Sequence, residues 1–313
     1  MLTAMSPPLD PRTYHTRLAP EGPAADGPFA LAWQAWDAAP DDLDRPTVVL
    51  LHGYLDSAHT FDAVARALAA DYRVVAPDHR GHGDSDRVGA GGYYHFPDYV
   101  RDLALLLPVM TRGRRVALVG HSMGATIAAY FAGAFPESVA ALVLLDSLGP
   151  AAPAPDEGPR LMRRWLTDLR LLPAKREPPM PDLVTVARRL ARTSPYASEA
   201  RLVELAEVAS TPDPAGGYAW RFDPLHRTTA PTPFDLPRFI AFLRAITAPT
   251  LVVWGEHTPN RPPDAAYRLA QLPRATELTL AGTAHNLHHE RPRELAMALL
   301  AFLYESFPPD EAP

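Results

Sequence analysis

The sequence predicts an α/β fold: a doubly wound, mostly parallel sheet interrupted by an inserted helical segment. Two observations predict the sheet. Short apolar or β-branched runs end abruptly in Gly, Asp or His, as strands buried on both faces of a parallel sheet do. Longer amphipathic segments separate these runs, and strand–helix alternation of this length builds a doubly wound sheet. A third observation predicts the insertion. From Gly149 to Ile246 the alternation stops, and short helical patterns separated by prolines replace it.

In chain order, Tyr14–Leu18 and Phe29–Trp36 read as an entering hairpin. The predicted strands are Thr47–Leu51, Tyr72–Ala76, Arg115–Gly120, Ala140–Leu145, Thr250–Gly255 and Thr276–Leu280, all taken as buried on both faces. The helices between them are Phe61–Ala70, Pro97–Met110, Met123–Phe135, Pro263–Leu272 and Pro292–Phe302. Proline at a helix start, as at Pro97 and Pro292, costs nothing because the amide there lacks an acceptor. The insertion offers Gly158–Leu172, Pro181–Thr193, Ser198–Ser210 and Leu236–Ile246 as helices and no strand, with Ser198 as an N-cap. Its aromatics Trp165, Tyr196, Trp220, Phe222, Phe234, Phe239 and Phe242 read first as the core of a small cap. The expected division is a core of residues 1–148 and 247–313, with a helical cap of residues 149–246.

Composition excludes several functions. Hydrophobic residues fill 47% of 313 positions, enough for a substantial core and incompatible with a disordered chain. A formal charge of −6 lacks the basic surplus that nucleic acid or an anionic membrane demands. Cysteine is absent, which removes disulfides, thiolate nucleophiles and thiolate-held metals. The single lysine, Lys175, lies in the Pro-rich stretch Leu172–Pro181; Schiff-base and P-loop chemistry, which need a positioned amine, are not expected. Met1–Pro20 carries prolines and charges where a signal peptide has its apolar run. No segment supplies the ~20 consecutive apolar residues of a membrane span. A soluble, cytoplasmic protein is expected.

The strongest chemical signal is Gly120-His-Ser122-Met-Gly124, which closes an apolar strand and opens an apolar helix. That context makes the pattern a nucleophile elbow. A serine held in so tight a turn needs glycine two positions away on both sides, so that strand and helix can approach. The turn lifts the Ser122 hydroxyl above the sheet. The Met123 amide, at the helix N-terminus, is suited to stabilise an oxyanion.

Four motifs together resemble the α/β-hydrolase superfamily, in particular its capped serine hydrolases, from about Tyr14 to Phe307. They are Leu51-His52-Gly53-Tyr54, Asp78-His-Arg80-Gly-His-Gly83-Asp-Ser85, the Gly120–Gly124 elbow and Gly282-Thr-Ala-His285. The resemblance implies that the Tyr54 amide is the second oxyanion donor and that His285 is the catalytic base. It also implies that Asp78–Ser85 is structural, with Arg80 holding backbone and carboxylates. His79, His82 and Asp84 do not have the order of a dinuclear metal site, and His52 is expected to brace its loop. His288 and His289 are expected to begin a helical turn or face solvent and to tolerate substitution. A three-histidine metal cluster there has no carboxylate support beyond Glu290. No metal or cofactor is expected.

The acid that orients His285 departs from the usual pattern. Most similar chains place aspartate three residues after the glycine that ends the strand Leu251–Gly255, where this sequence has Thr258. Some capped relatives, the haloalkane dehalogenases among them, place it after the strand that follows the elbow helix, which here gives Asp146. Glu256, Asp264 and the absence of any acid remain alternatives.

The leading functional expectation is a carboxylesterase-like serine hydrolase acting on a small or medium, largely apolar ester or related acyl substrate. Thioesterase, lactonase and carbon–carbon hydrolase chemistry use the same triad and stay open. A slowly turning receptor and a lyase using His285 as base are the alternatives from other classes.

Overall fold

The computed structural model describes residues 11–19, 22–23, 29–36, 45–172 and 177–309. Residues 1–10, on which much of the reading of Met1–Pro20 rests, lie outside the described residues, and so does Lys175. Arg12–Ala19 (β1), Gly22–Pro23 (β2) and Phe29–Trp36 (β3) enter as antiparallel strands. Thr47–Leu51 (β4), Arg73–Pro77 (β5), Val116–His121 (β6), Val139–Leu145 (β7), Thr250–Gly255 (β10) and Ala275–Leu280 (β11) form the parallel part. Together the described strands make a nine-stranded sheet in the order β11-β10-β7-β6-β4-β5-β3-β1-β2.

Alternate side chains along each central strand feed two separate cores. Val49, Leu51 and Leu118 point to the face covered by Phe96–Thr111 (α2) and Met123–Ala134 (α3). Val48, Leu50 and Val119 point to the face covered by Asp62–Leu68 (α1) and Pro292–Ser306 (α10). Both faces are apolar because both are covered, which is why β4, β5, β6, β7 and β10 read as continuous runs. The expectation of burial on both faces fails at β11. It ends the sheet, and Thr276 to Thr279 are exposed.

Between β7 and β10 the chain leaves the main sheet. It forms Gly158–Leu171 (α4), Leu183–Leu190 (α5), Glu199–Ala209 (α6) and Leu236–Ala245 (α7). Ser198 caps α6 by accepting from the Arg201 amide at 3.2 Å. The expectation of no strand is corrected by a short hairpin, Ser210–Pro212 (β8) against Tyr218–Trp220 (β9). Asp213 and two glycines at positive φ, Gly216 and Gly217, make its turn. The aromatics of this segment do not share one small core. Trp220 packs with Met180, Val186 and Ala206, whereas Phe234 and Phe239 join the main core. Phe242 meets Tyr130 of α3, with ring centroids 4.8 Å apart.

Two further helices complete the core, Ala265–Leu269 (α8) and Leu287–Glu290 (α9), and α10 packs against α1. The carboxyl ends of β4, β6, β7 and β10 open onto one edge, where ligands bind in sheets of this kind.

Candidate active site

Steric closeness shapes the elbow. Ser122 sits at φ 51° and ψ −110°, between the end of β6 and the start of α3. A Cβ on Gly120 would lie 2.4 Å from the Gly124 carbonyl oxygen, and one on Gly124 would lie 2.2 Å from the Leu51 carbonyl oxygen. Both obstacles are backbone, so only glycine lets strand, turn and helix close. The Ser122 amide donates to the Leu145 carbonyl at 2.9 Å, which ties the turn to β7.

Asp146 follows β7 directly, at φ 51°, with its side chain fully buried. Its Oδ1 accepts the Gly255 amide at 2.9 Å. Its Oδ2 accepts the Thr258 hydroxyl at 2.5 Å and faces His285 Nδ1 at 2.6 Å. An ionised carboxylate only accepts, so Nδ1 carries the proton and Nε2 presents its lone pair. That Nε2 lies 2.9 Å from Ser122 Oγ. Of the alternative acids, Glu256 accepts the Gly282 amide at 2.8 Å, and Asp264 pairs with buried Arg268 at 2.9 Å. Sequence reasoning missed the contact of Thr258, whose hydroxyl donates to the Asp146 carboxylate.

The loop after β4 lies against Ser122. A Cβ on Gly53 would be 3.4 Å from Ser122 Cβ and 2.6 Å from His121 Nδ1. Tyr54 comes next, and its amide makes no backbone hydrogen bond among the described residues. Its phenol donates to the His226 carbonyl, linking this loop to the inserted segment. Met123 opens α3, where a first-turn amide has no intrahelical acceptor. His121, inside the elbow motif, was also missed. Its Nε2 donates to the His285 carbonyl at 2.8 Å, and burial holds its pKa well below the ordinary value. It braces the loop that carries His285 while remaining uncharged.

His52 braces its loop too: it bonds the Gly53 carbonyl at 2.8 Å and accepts the His79 amide at 2.9 Å. In the Asp78–Ser85 loop, Asp78 accepts the amides of Ala58 and Asp84 at 2.8 and 3.0 Å. Arg80 holds both oxygens of Asp102 at 2.6 Å. His82 bonds the Arg80 carbonyl and accepts the Leu55 amide. Asp84 reaches across to Arg221 of the insertion at 2.6 Å.

One expectation about the loop after His285 is met and one is corrected. His288 and His289 do begin a helical turn, but both are buried rather than solvent-facing. Their carboxylate is Asp56, 3.0 Å from His288 Nε2 and 3.4 Å from His289 Nε2. Glu290 instead accepts the Ala284 amide at 2.6 Å and the Tyr196 amide at 3.3 Å.

Comparison with known proteins bears on the fold and the family. A family model described as "alpha/beta hydrolase fold" matches residues 46–292. A serine hydrolase-like protein of Danio rerio is 40% identical over 105 residues, 34% of this chain and 32% of that protein. One of Dictyostelium discoideum is 25% identical, over 82% of this chain and 75% of that protein. The chain thus spans about a third of the first relative's length and three quarters of the second's. Among solved structures, a hypothetical protein of Pseudomonas aeruginosa PAO1 superposes with a TM-score of 0.77 at 29% identity, covering 89% of this chain and 96% of that one. A thioesterase domain from the curacin biosynthetic pathway superposes with a TM-score of 0.75 at 26% identity, covering 93% and 99%. Fold, elbow and family match converge, and the chain belongs to the α/β-hydrolase fold family.

Proposed function

We propose that the protein is a serine hydrolase that cleaves an ester or closely related acyl bond of a small to medium, largely apolar substrate. One observation carries this reading: the continuous path from Asp146 through His285 to Ser122, with gaps of 2.6 and 2.9 Å. His285 Nε2 takes the hydroxyl proton as Ser122 Oγ attacks the acyl carbon, and the Tyr54 and Met123 amides receive the oxyanion. The imidazolium returns the proton to the leaving group. Water, activated by the same nitrogen, then releases the acid and frees Ser122. Asp146 holds Nδ1 protonated and offsets the imidazolium charge, while Thr258 and Gly255 keep its carboxylate turned toward the ring.

In this reading residues 149–246 form a cap over the cleft. Tyr54–His226, Asp84–Arg221 and Tyr94–Asp223 contacts fasten it to the core. The thioesterase neighbour makes thioesters the first other acyl bond to test. Thr258 no longer favours a slowly turning receptor, because its hydroxyl serves the acid instead of leaving the site without one. The test is labelling with a fluorophosphonate followed by turnover of short-chain p-nitrophenyl esters. Labelling at Ser122 with turnover is expected; labelling without turnover of any ester or thioester would favour the receptor.

A further inference from the structure

Beside His121, whose ring centroid lies 4.6 Å from that of His288, two imidazoles and a carboxylate converge. Asp56 ends the loop that begins at His52, and His288 and His289 lie on α9, immediately after His285. The ligand atoms that the three offer all lie within 4.8 Å of one another. Asp56 Oδ2 is 3.0 Å from His288 Nε2 and 3.4 Å from His289 Nε2. Donors held 2.0–2.1 Å from an ion at tetrahedral angles are about 3.3 Å apart. The two separations from Asp56 are therefore those of donors in a first coordination shell.

Three further observations point to a ligand at this place. His289 is 4% exposed, and its Nε2, aimed at Asp56, is buried without a hydrogen-bond partner among the described residues. Its other ring nitrogen, Nδ1, is held by the Ser194 hydroxyl at 3.0 Å, the arrangement by which metal-binding histidines are oriented. Asp56 retains 10% of its side-chain surface, which leaves an approach from solvent.

The geometry points to a divalent transition-metal site formed by Asp56, His288 and His289, separate from the Ser122 nucleophile. Two imidazole nitrogens and one carboxylate oxygen suit zinc, cobalt or nickel, whereas magnesium and calcium prefer all-oxygen shells. Water entering past Asp56 completes the shell. The ion would join the loop that carries Tyr54 to the helix behind His285 and, through Ser194, to the inserted segment. It takes no part in acyl transfer, so the site acts as a clasp whose loading sets the rigidity of these three segments. The inference does not depend on which acyl bond is cleaved.

The test is calorimetric titration of the EDTA-stripped full chain with zinc chloride, alongside thermal melting. One zinc per chain is expected, with a rise of several degrees in Tm at about a hundredfold excess over Kd. His289→Gln should abolish both effects, and His285→Gln should keep them. Should His289→Gln fail to fold, X-ray absorption on the wild-type zinc complex decides, with two imidazoles and oxygen donors in the first shell expected. Absence of saturable zinc binding by the wild type overturns the proposal. So does loss of binding in His285→Gln, or a first shell with any other number of imidazoles.

Discussion

Replacing Asp146 by asparagine exchanges one oxygen for an amino group and tests the relay at its buried end. Oδ1 is committed to the Gly255 amide at 2.9 Å, so the side chain must keep an oxygen there. The new amino group then falls where Oδ2 faced His285 Nδ1 at 2.6 Å and the Thr258 hydroxyl at 2.5 Å. A donor at that place forces Nδ1 to become an acceptor. The proton moves to Nε2, the nitrogen 2.9 Å from Ser122 Oγ, which can no longer take a proton from the serine. The corresponding substitution in a serine protease lowers kcat about 10⁴-fold, a barrier increase of about 5.5 kcal/mol at 1.36 kcal/mol per tenfold. A loss of that order is expected in kcat for a p-nitrophenyl ester, with KM and Tm little changed. Thr258→Asp in the Asp146→Asn background should restore part of the rate, because the Thr258 hydroxyl already touches the oxygen that His285 meets. Near-normal kcat in Asp146→Asn would refute this account of the relay. If Glu256→Gln lost activity instead, the acid would be Glu256.

Ser122→Ala should lower ester turnover by about 10⁶-fold and abolish fluorophosphonate labelling; persistent labelling at another residue would contradict the elbow assignment. Gly124→Ala places a Cβ 2.2 Å from the Leu51 carbonyl oxygen, an overpacking that costs about 1–3 kcal/mol, so denaturant melts should show lost stability along with lost turnover. His288→Gln removes a ring stacked 4.3 Å from Phe61 and bonded to Asp56. Stability should fall by about 1–3 kcal/mol while Ser122 still labels, and an unchanged Tm would contradict the buried placement. Acid should also unfold the protein. Burial holds His52, His79, His82, His121, His226 and His288 below the ordinary 6.5, with His79 and His288 at about 3 and His226 at about 4. The unfolded chain therefore binds more protons, and stability is lost as pH falls from 6.5. Asp78, pushed up to about 6 by burial, and Asp102 and Glu290, also raised by burial, oppose this because their folded forms keep their protons longer, but they are three groups against six. Tm measured between pH 7 and pH 5 should fall steeply; a flat profile would overturn the reading.

What could be read from the sequence followed from local constraints. β4, β6, β7 and β10 were legible because covered sheet faces demand unbroken apolar runs. The elbow was legible because both of its glycines are imposed by backbone contacts. Asp146 was legible as a carboxylate at a strand end, and the structure brings it to His285 and Ser122. β11 was misread although Glu277, Leu278, Thr279 and Leu280 alternate polar with apolar, a pattern foreign to a strand buried on both faces. Asp213 and the paired glycines Gly216 and Gly217 signalled the β8–β9 turn, but strands of three residues leave too little pattern to register. The parts of Thr258 and Asp56 had no local signature. Thr258 meets Asp146 across 112 positions and Asp56 meets His288 across 232, so only folding reveals either pair. Adjacent histidines beside a glutamate left a helical turn and a solvent-facing position both open, and the distant Asp56 and Ser194 hold them inward.

The exposed strand β11 has a bearing of its own on how molecules of this protein meet. An end strand offers an open row of peptide donors and acceptors on which an identical strand can add. Thr276, Leu278 and Thr279 would favour such growth, being β-formers in an exposed run. Glu277 stands among them, paired with Arg261 at 2.5 Å. Stacking a second copy there would strip water from this pair and, in antiparallel register, bring like carboxylates face to face. An ion pair placed on the strand farthest from the N-terminal hairpin thus opposes the continuation of one molecule's sheet into the next.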